Sequence, residues 1–259
     1  MYKSKSIEHH PFLLAKAMRI TTLKRRRKIW AFLPKDYHNN STKSYPVIYF
    51  NDAQNIFEGW KAPFGKSWEV HNTMKELAHH LNLSEHILIG IEHGKKYRHG
   101  EYVPFARNGK FAKEGNAYAD FVANDLKNFV DKKLRTIPWR ESNAIVGSSL
   151  GGLSALYIGY KHQDVFAKVG VFSPSLWIAP PIYDTIRQYG KHYASKFYIS
   201  VGSREGHYTL KYVNDLYQTF LQSGYLQQDV KLNIVPNGQH NEQLWQKEFR
   251  NFYTWISQN

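Results

Sequence analysis

The chain has 259 residues, is 42% hydrophobic and 15% aromatic, carries a formal net charge of +14 and contains no cysteine. The size suits one α/β domain spanning residues 1–259, with 1–27 as an N-terminal edge segment. The missing cysteine excludes disulfides, thiolate chemistry and Cys-ligated zinc. The positive charge favours anionic partners, but no nucleic-acid motif accompanies it, so no nucleic-acid partner is expected.

At the N-terminus the apolar stretch is short and is broken by Lys16 and Arg19. It offers no h-region of ~7–15 apolar residues, and no run in the chain approaches the ~18 needed to cross a bilayer. A cytoplasmic protein without membrane partners is expected. The basic cluster Lys24-Arg25-Arg26-Arg27-Lys28 reads as a solvated hairpin or edge-strand face. Seven short apolar runs then read as strands: Ile29–Leu33, Val47–Phe50, Ile87–Ile91, Ala144–Gly147, Val169–Phe172, Phe197–Val201 and Leu232–Val235. Continuous apolar runs of this length are what strands buried on both faces require. Between them, helical spacing appears over Trp68–Leu81, Tyr118–Leu134, Leu150–Tyr160, Leu210–Leu221 and Glu242–Ile256. Such alternation predicts an α/β fold, a mostly parallel central sheet with helices on both faces. The first segments can pair antiparallel at one edge.

The chemistry is concentrated in Gly147-Ser148-Ser149-Leu150-Gly151-Gly152, which contains the Gly-x-Ser-x-Gly pattern of a nucleophile elbow. By composition alone that pattern arises in about one such chain in ten. Here an apolar strand runs into it and a small-residue helix leaves it, the setting the α/β-hydrolase fold demands. Ser149 is the expected nucleophile, and the Leu150 N–H an oxyanion donor. A serine needs a base, and His240 lies between the last strand and the last helix, where chain order puts it. Glu205 is the first carboxylate after Phe197–Val201 and is the expected acid. A surface pair with Arg204 is its competing role, and Asp184, Asp229 and Glu242 are the alternates. A second oxyanion donor is expected from the loop 51–55, at Gln54 or else Ala53.

Several segments together resemble the esterase D-like family of esterases. They are Asn51-Asp52-Ala53-Gln54-Asn55-Ile56-Phe57, Gly90-Ile91 with Arg98-x-x-Glu101-Tyr102-x-Pro104, the elbow, and Ser173-Pro174-Ser175-Leu176-Trp177. Gly202-x-x-Glu205 and Gly238-x-His240 stand where that family has its acid and base. The look is closest to the ferric-siderophore esterase branch. One departure is Ala53, where the family usually has Gly, since alanine disfavours positive φ.

The resemblance implies a serine esterase that needs no metal or organic cofactor and acts on a small-molecule ester. A catecholate trilactone is one substrate class it leaves open. Acetyl, feruloyl or S-formylglutathione-type esters are the other. A non-catalytic binding protein on a hydrolase scaffold is the alternative of another class. Arg98 is either an anchor for an anionic substrate or a salt-bridge partner of Glu101. Trp177 is either a cleft wall or a core aromatic.

Overall fold

Side chains on a strand alternate between faces, and the apolar runs of this chain use both. In the computed structural model, which describes residues 10–57, 66–105 and 113–258, eight strands form one sheet. They are β1 (Phe12–Ile20), β2 (Arg25–Phe32), β3 (Val47–Asn51), β4 (Ile87–Ile91), β5 (Asn143–Ser148), β6 (Lys168–Phe172), β7 (Lys196–Gly202) and β8 (Val230–Val235). Their order is β1-β2-β4-β3-β5-β6-β7-β8. The β1–β2 and β2–β4 pairs are antiparallel, and the other pairs are parallel. All seven expected strands are present. Residues 1–9 of the expected edge segment lie outside the described residues.

Val47, Tyr49, Ile87, Ile89, Ile145, Val169 and Phe197 face one core. It is closed by α3 (Lys113–Asp120), α4 (Lys127–Lys133), α5 (Leu150–Lys161), α6 (Pro181–Tyr189) and α7 (His207–Gln222). Ile48, Phe50, Leu88, Val146 and Tyr198 face the other, closed by α1 (Val70–Leu81) and α8 (Glu242–Ser257). A short helix, α2 (Arg98–Tyr102), follows β4. Every residue of α5 from Leu150 to Tyr160 is buried. That explains its weak amphipathicity, because a helix enclosed on all sides is apolar all round.

Three differences from the sequence reading have local causes. First, β1, inside the expected N-terminal edge segment, is not among the seven strands that the apolar runs predict. Its register shifts twice against β2, between Leu13 and Ala15 and between Ala15 and Met18, so it lacks clean alternation. Second, the basic cluster lies mainly in β2, which is not the edge strand, and only part of it is solvated. Arg25 pairs with Glu101 at 2.9 Å and with Glu114 at 2.5 Å, and the buried Arg27 also pairs with Glu101. Lys24, Arg26 and Lys28 are exposed. Third, the helix expected from Tyr118 to Leu134 begins at Lys113, and a π-helical stretch at Phe121–Leu126 joins α3 to α4.

The buried His86 is expected to make stability fall in acid. The residue is 5% exposed, and its Nδ1 lies 3.1 Å from the carbonyl of Ser84. Burial, reinforced by the charge of Lys168, pushes its pKa down to about 3. A folded pKa below the unfolded one means that the unfolded chain binds the extra proton. The stabilisation from neutral His86 is therefore complete above about pH 6.5 and is lost as pH falls from there toward 3. Its slope is at most about 1.4 kcal/mol per pH unit. Urea unfolding at pH 7, 5.5 and 4 should show a shallower loss of stability in His86→Gln than in wild type. Parallel curves would mean that His86 titrates alike in both states.

Candidate active site

The carboxyl ends of the parallel strands meet at one edge of the sheet, where open α/β sheets place their sites. β5 is central, and Ser149 follows it directly. The Ser149 backbone adopts φ 55° and ψ −125°, outside the regions open to most L-residues. Its N–H donates to the Phe172 carbonyl at 2.8 Å, and its own carbonyl accepts from Ser175 N–H at 3.1 Å. A Cβ on residue 147 would collide with the carbonyl of Gly151, so the elbow closes only with glycine there.

Strand order brings the other sequence-predicted groups to Ser149. His240, on the loop after β8, has Nε2 2.9 Å from Ser149 Oγ and Nδ1 2.7 Å from Glu205 Oε2. Glu205 follows β7, and its side chain is 2% exposed. The other Glu205 oxygen, Oε1, accepts from Ser173 Oγ at 2.6 Å and from Gly202 N–H at 2.7 Å. Burial opposes ionisation of Glu205, but the hydrogen bonds from His240, Ser173 and Gly202 outweigh it and hold the carboxyl below the usual range. Two alternates stand elsewhere, Asp184 paired with Arg187 and Asp229 with Lys191; Glu242, in the first turn of α8, lines the same cleft as Ser149, but the carboxylate on His240 Nδ1 is Glu205. A serine hydroxyl in this arrangement can pass its proton to an imidazole whose tautomer and orientation the carboxylate sets.

Two backbone N–H groups are free of helical partners at this point. Leu150 is the first residue of α5, and Gln54 lies in the 3₁₀ turn Ala53–Asn55 after β3. Ala53 is tolerated because Asp52 takes the left-handed conformation, at φ 59°. Asn51 ties this loop to the elbow, since its Nδ2 donates to the Gly151 carbonyl at 3.0 Å and its Oδ1 accepts from Tyr118 Oη at 2.8 Å. Ser149, Gln54 and His240 line a cleft of about 650 Å³ with Asp52, Asn55, Lys66, His93, Arg98, Asn241, Gln243 and Trp245. Burial depresses the pKa of His93, and its Nδ1 accepts from the Lys95 N–H at 2.8 Å. The proton of the neutral ring therefore sits on Nε2.

Arg98 binds Asp52 rather than Glu101, through Nε at 2.8 Å and Nη2 at 2.7 Å. Trp177, 46% exposed, is not among the residues lining the cleft. Three contributions escaped the sequence reading. Asp52 carries the left-handed turn and the Arg98 pair. Ser173, fully buried at φ 43°, joins Glu205 to Trp245, whose Nε1–H donates to Ser173 Oγ at 2.9 Å. Trp245 also sets its ring edgewise to His240 at 5.0 Å. Ser173 belongs to a stretch that carries the family resemblance, whereas Trp245 reads in the sequence only as part of the apolar pattern of the last helix. Among the described residues, no group of three or more His, Asp or Glu is placed to hold a metal ion.

The loops that carry Glu205 and His240 touch through glycine. A Cβ on residue 202 would overlap the backbone carbonyl of Gly238, and Arg204 N–H donates to that carbonyl oxygen at 2.9 Å. Gly202→Ala should wedge the two loops apart and lower kcat/KM about 10- to 100-fold while the chain stays folded by circular dichroism. An unchanged kcat/KM would show that the loops move independently. Ser173→Ala leaves the Trp245 N–H unpaired and should reduce kcat about 5- to 10-fold, from the loss of one charge-assisted hydrogen bond. Equal rates in Ser173→Ala and wild type would remove Ser173 from the network that positions Glu205.

The chain can now be set beside known proteins. Over 246 residues it is 24% identical to the Bacillus subtilis (strain 168) protein YbbA, described as uncharacterized, covering 89% of this chain and 92% of that one. A CE1 ferulic acid esterase from Anaeromyces mucronatus, solved with ferulic acid, superposes with a TM-score of 0.73 at 17% identity, over 98% of this chain and 94% of that one. Enterochelin esterase from Shigella flexneri superposes with the same TM-score and identity over 98% of this chain, which spans 59% of the Shigella chain. These likenesses establish the α/β-hydrolase-type fold. The model of the family described as "Putative esterase" matches residues 20–255. The chain belongs to that family and is an ester-hydrolysing enzyme.

Proposed function

We propose that the protein is a serine esterase working through an acyl-enzyme, with Ser149 as nucleophile, His240 as base and acid, and Glu205 as its orienting carboxylate. One observation carries this reading: the unbroken run of hydrogen bonds from Ser149 Oγ through His240 to Glu205, at 2.9 and 2.7 Å. Ser149 Oγ attacks the ester carbonyl carbon as its proton passes to His240 Nε2. The carbonyl oxygen gains the negative charge and is met by the N–H groups of Leu150 and Gln54. When the tetrahedral species collapses, the C–O bond to the alcohol breaks and His240 Nε2 returns the proton to the leaving oxygen. Water then repeats the sequence on the acyl-enzyme, releasing the acid and restoring the Ser149 hydroxyl. Glu205 stays ionised and stabilises the imidazolium in both halves.

The cleft bears on the substrate. Four carboxamides, Gln54, Asn55, Asn241 and Gln243, line it together with Lys66, His93, the Asp52–Arg98 pair, Glu242 and the aromatic Trp245. Such a wall suits a substrate rich in hydrogen-bonding groups better than an aliphatic ester. With the net charge of +14, this supports a ferric catecholate trilactone, the siderophore reading. Trp177 is then an outer aromatic contact. An aromatic in the lining, Trp245, favours the second reading, a feruloyl, acetyl or S-formylglutathione-type ester, and ferulic acid is bound in the Anaeromyces enzyme of the same fold.

Hydrolysis of a short-chain p-nitrophenyl ester by wild type and Ser149→Ala tests the chemistry. The variant should lose about 10³-fold or more in kcat. Equal rates would remove Ser149 as nucleophile. A panel of intact ferric catecholate trilactone against feruloyl and acetyl esters then separates the two substrate readings by kcat/KM. Tight ferric catecholate binding with no turnover of any ester would favour a binding protein.

A further inference from the structure

A carboxylate beside an oxyanion site works against the reaction, and this protein has one. Asp52 lines the same cleft as Ser149, two residues before Gln54, and is 4% exposed. A Cβ built on Gly151 would stand 2.6 Å from Asp52 Oδ2, so the carboxylate lies against the first turn of α5, at the residue after Leu150. A negative charge there opposes the positive N-terminal end of α5 and repels the developing oxyanion.

The carboxylate is nevertheless built into the turn. Its residue holds the left-handed conformation at φ 59°, which Asp and Asn adopt more readily than other side-chain-bearing residues. Its N–H donates to Tyr102 Oη at 3.3 Å, and its carbonyl accepts from the Asn55 N–H at 2.9 Å. Among the described residues, the cation paired with its side chain is Arg98, whose planar fork meets both oxygens. Arg98 is itself held by α2, which the Glu101 pairs with Arg25 and Arg27 tie to β2. Two of the three guanidinium nitrogens of Arg98, Nε and Nη2, are committed to Asp52.

We infer that Arg98 serves turnover by cancelling the charge of Asp52 next to the oxyanion site, and not by anchoring an anionic substrate. This rests on the acyl-enzyme reading above, and Ser149→Ala run alongside tests that reading separately. Neither Asp52 nor Arg98 touches the reacting atoms, so the effect belongs to kcat.

The experiment compares Arg98→Gln, Asp52→Asn and the double variant on a neutral p-nitrophenyl ester, with kcat and KM resolved and folding followed by circular dichroism. Arg98→Gln should lower kcat about 10- to 100-fold, equivalent to about 1.4–2.7 kcal/mol, with little change in KM. Asp52→Asn should lose about 10-fold less than Arg98→Gln. The double variant should recover most of the loss, because the uncompensated charge is then gone. If Arg98→Gln does not fold, the double variant decides alone: kcat within about fivefold of Asp52→Asn supports the inference, and a further 10-fold loss overturns it. Equal damage in all three variants would make the pair a structural clamp and overturn it. So would an Arg98→Gln defect confined to the KM of an anionic ester, the mark of a substrate anchor.

Discussion

The backbone at Ser149 sits where L-residues rarely go, and the site depends on keeping it there. A conformation of this kind costs on the order of 1–3 kcal/mol and persists only where its surroundings over-determine it. Here they do. The strand β5 enters from the middle of the sheet, the fully buried α5 leaves, and hydrogen bonds to β6 and to Ser175 hold the peptide groups on either side of the Cα. In return the hydroxyl stands clear of the sheet edge, where His240 reaches it at 2.9 Å.

The same edge manages charge by pairing. Glu205 is almost wholly withdrawn from solvent, and hydrogen bonds from His240, Ser173 and a backbone N–H hold it ionised. Asp52 is answered by Arg98, while Glu101, whose side chain is fully buried, is answered by Arg25 and Arg27. Buried ion pairs add little to stability by themselves, but removing one partner strands the other at a steep cost. Each pair therefore fixes the position of a loop more than it strengthens the fold. The basic run of β2, which by sequence reads as a solvated hairpin or edge-strand face, uses two of its arginines to fasten the helix that carries Arg98.

Trp245 shows how the two layers meet. Its ring belongs to the core between the sheet, α1 and α8, and packs near Trp68, while its N–H reaches Ser173 and its edge faces His240. A core aromatic thus supports both Glu205, through Ser173, and His240, and packing on that face of the sheet bears directly on the geometry of the hydrogen-bonded run.

The elbow and the strand–helix alternation were legible in the sequence because they are local: a strand, a turn and a helix within a few residues, each governed by side-chain period and glycine sterics. Chain order carried the reading on to His240 and Glu205, since the fold dictates which loops follow which strands. The irregular β1 was not legible, for its bulges erase the alternation that marks a strand. Nor were the partners of side chains far apart in sequence. Arg98 finds Asp52 across 46 residues and Trp245 finds Ser173 across 72. Those distances close only when the order of the strands and the packing of loops at one edge are set. Composition and period determined the sheet, the elbow and the kind of chemistry; tertiary structure alone decided which charge neutralises which, because Coulombic and hydrogen-bond partners are chosen by proximity in space and not along the chain.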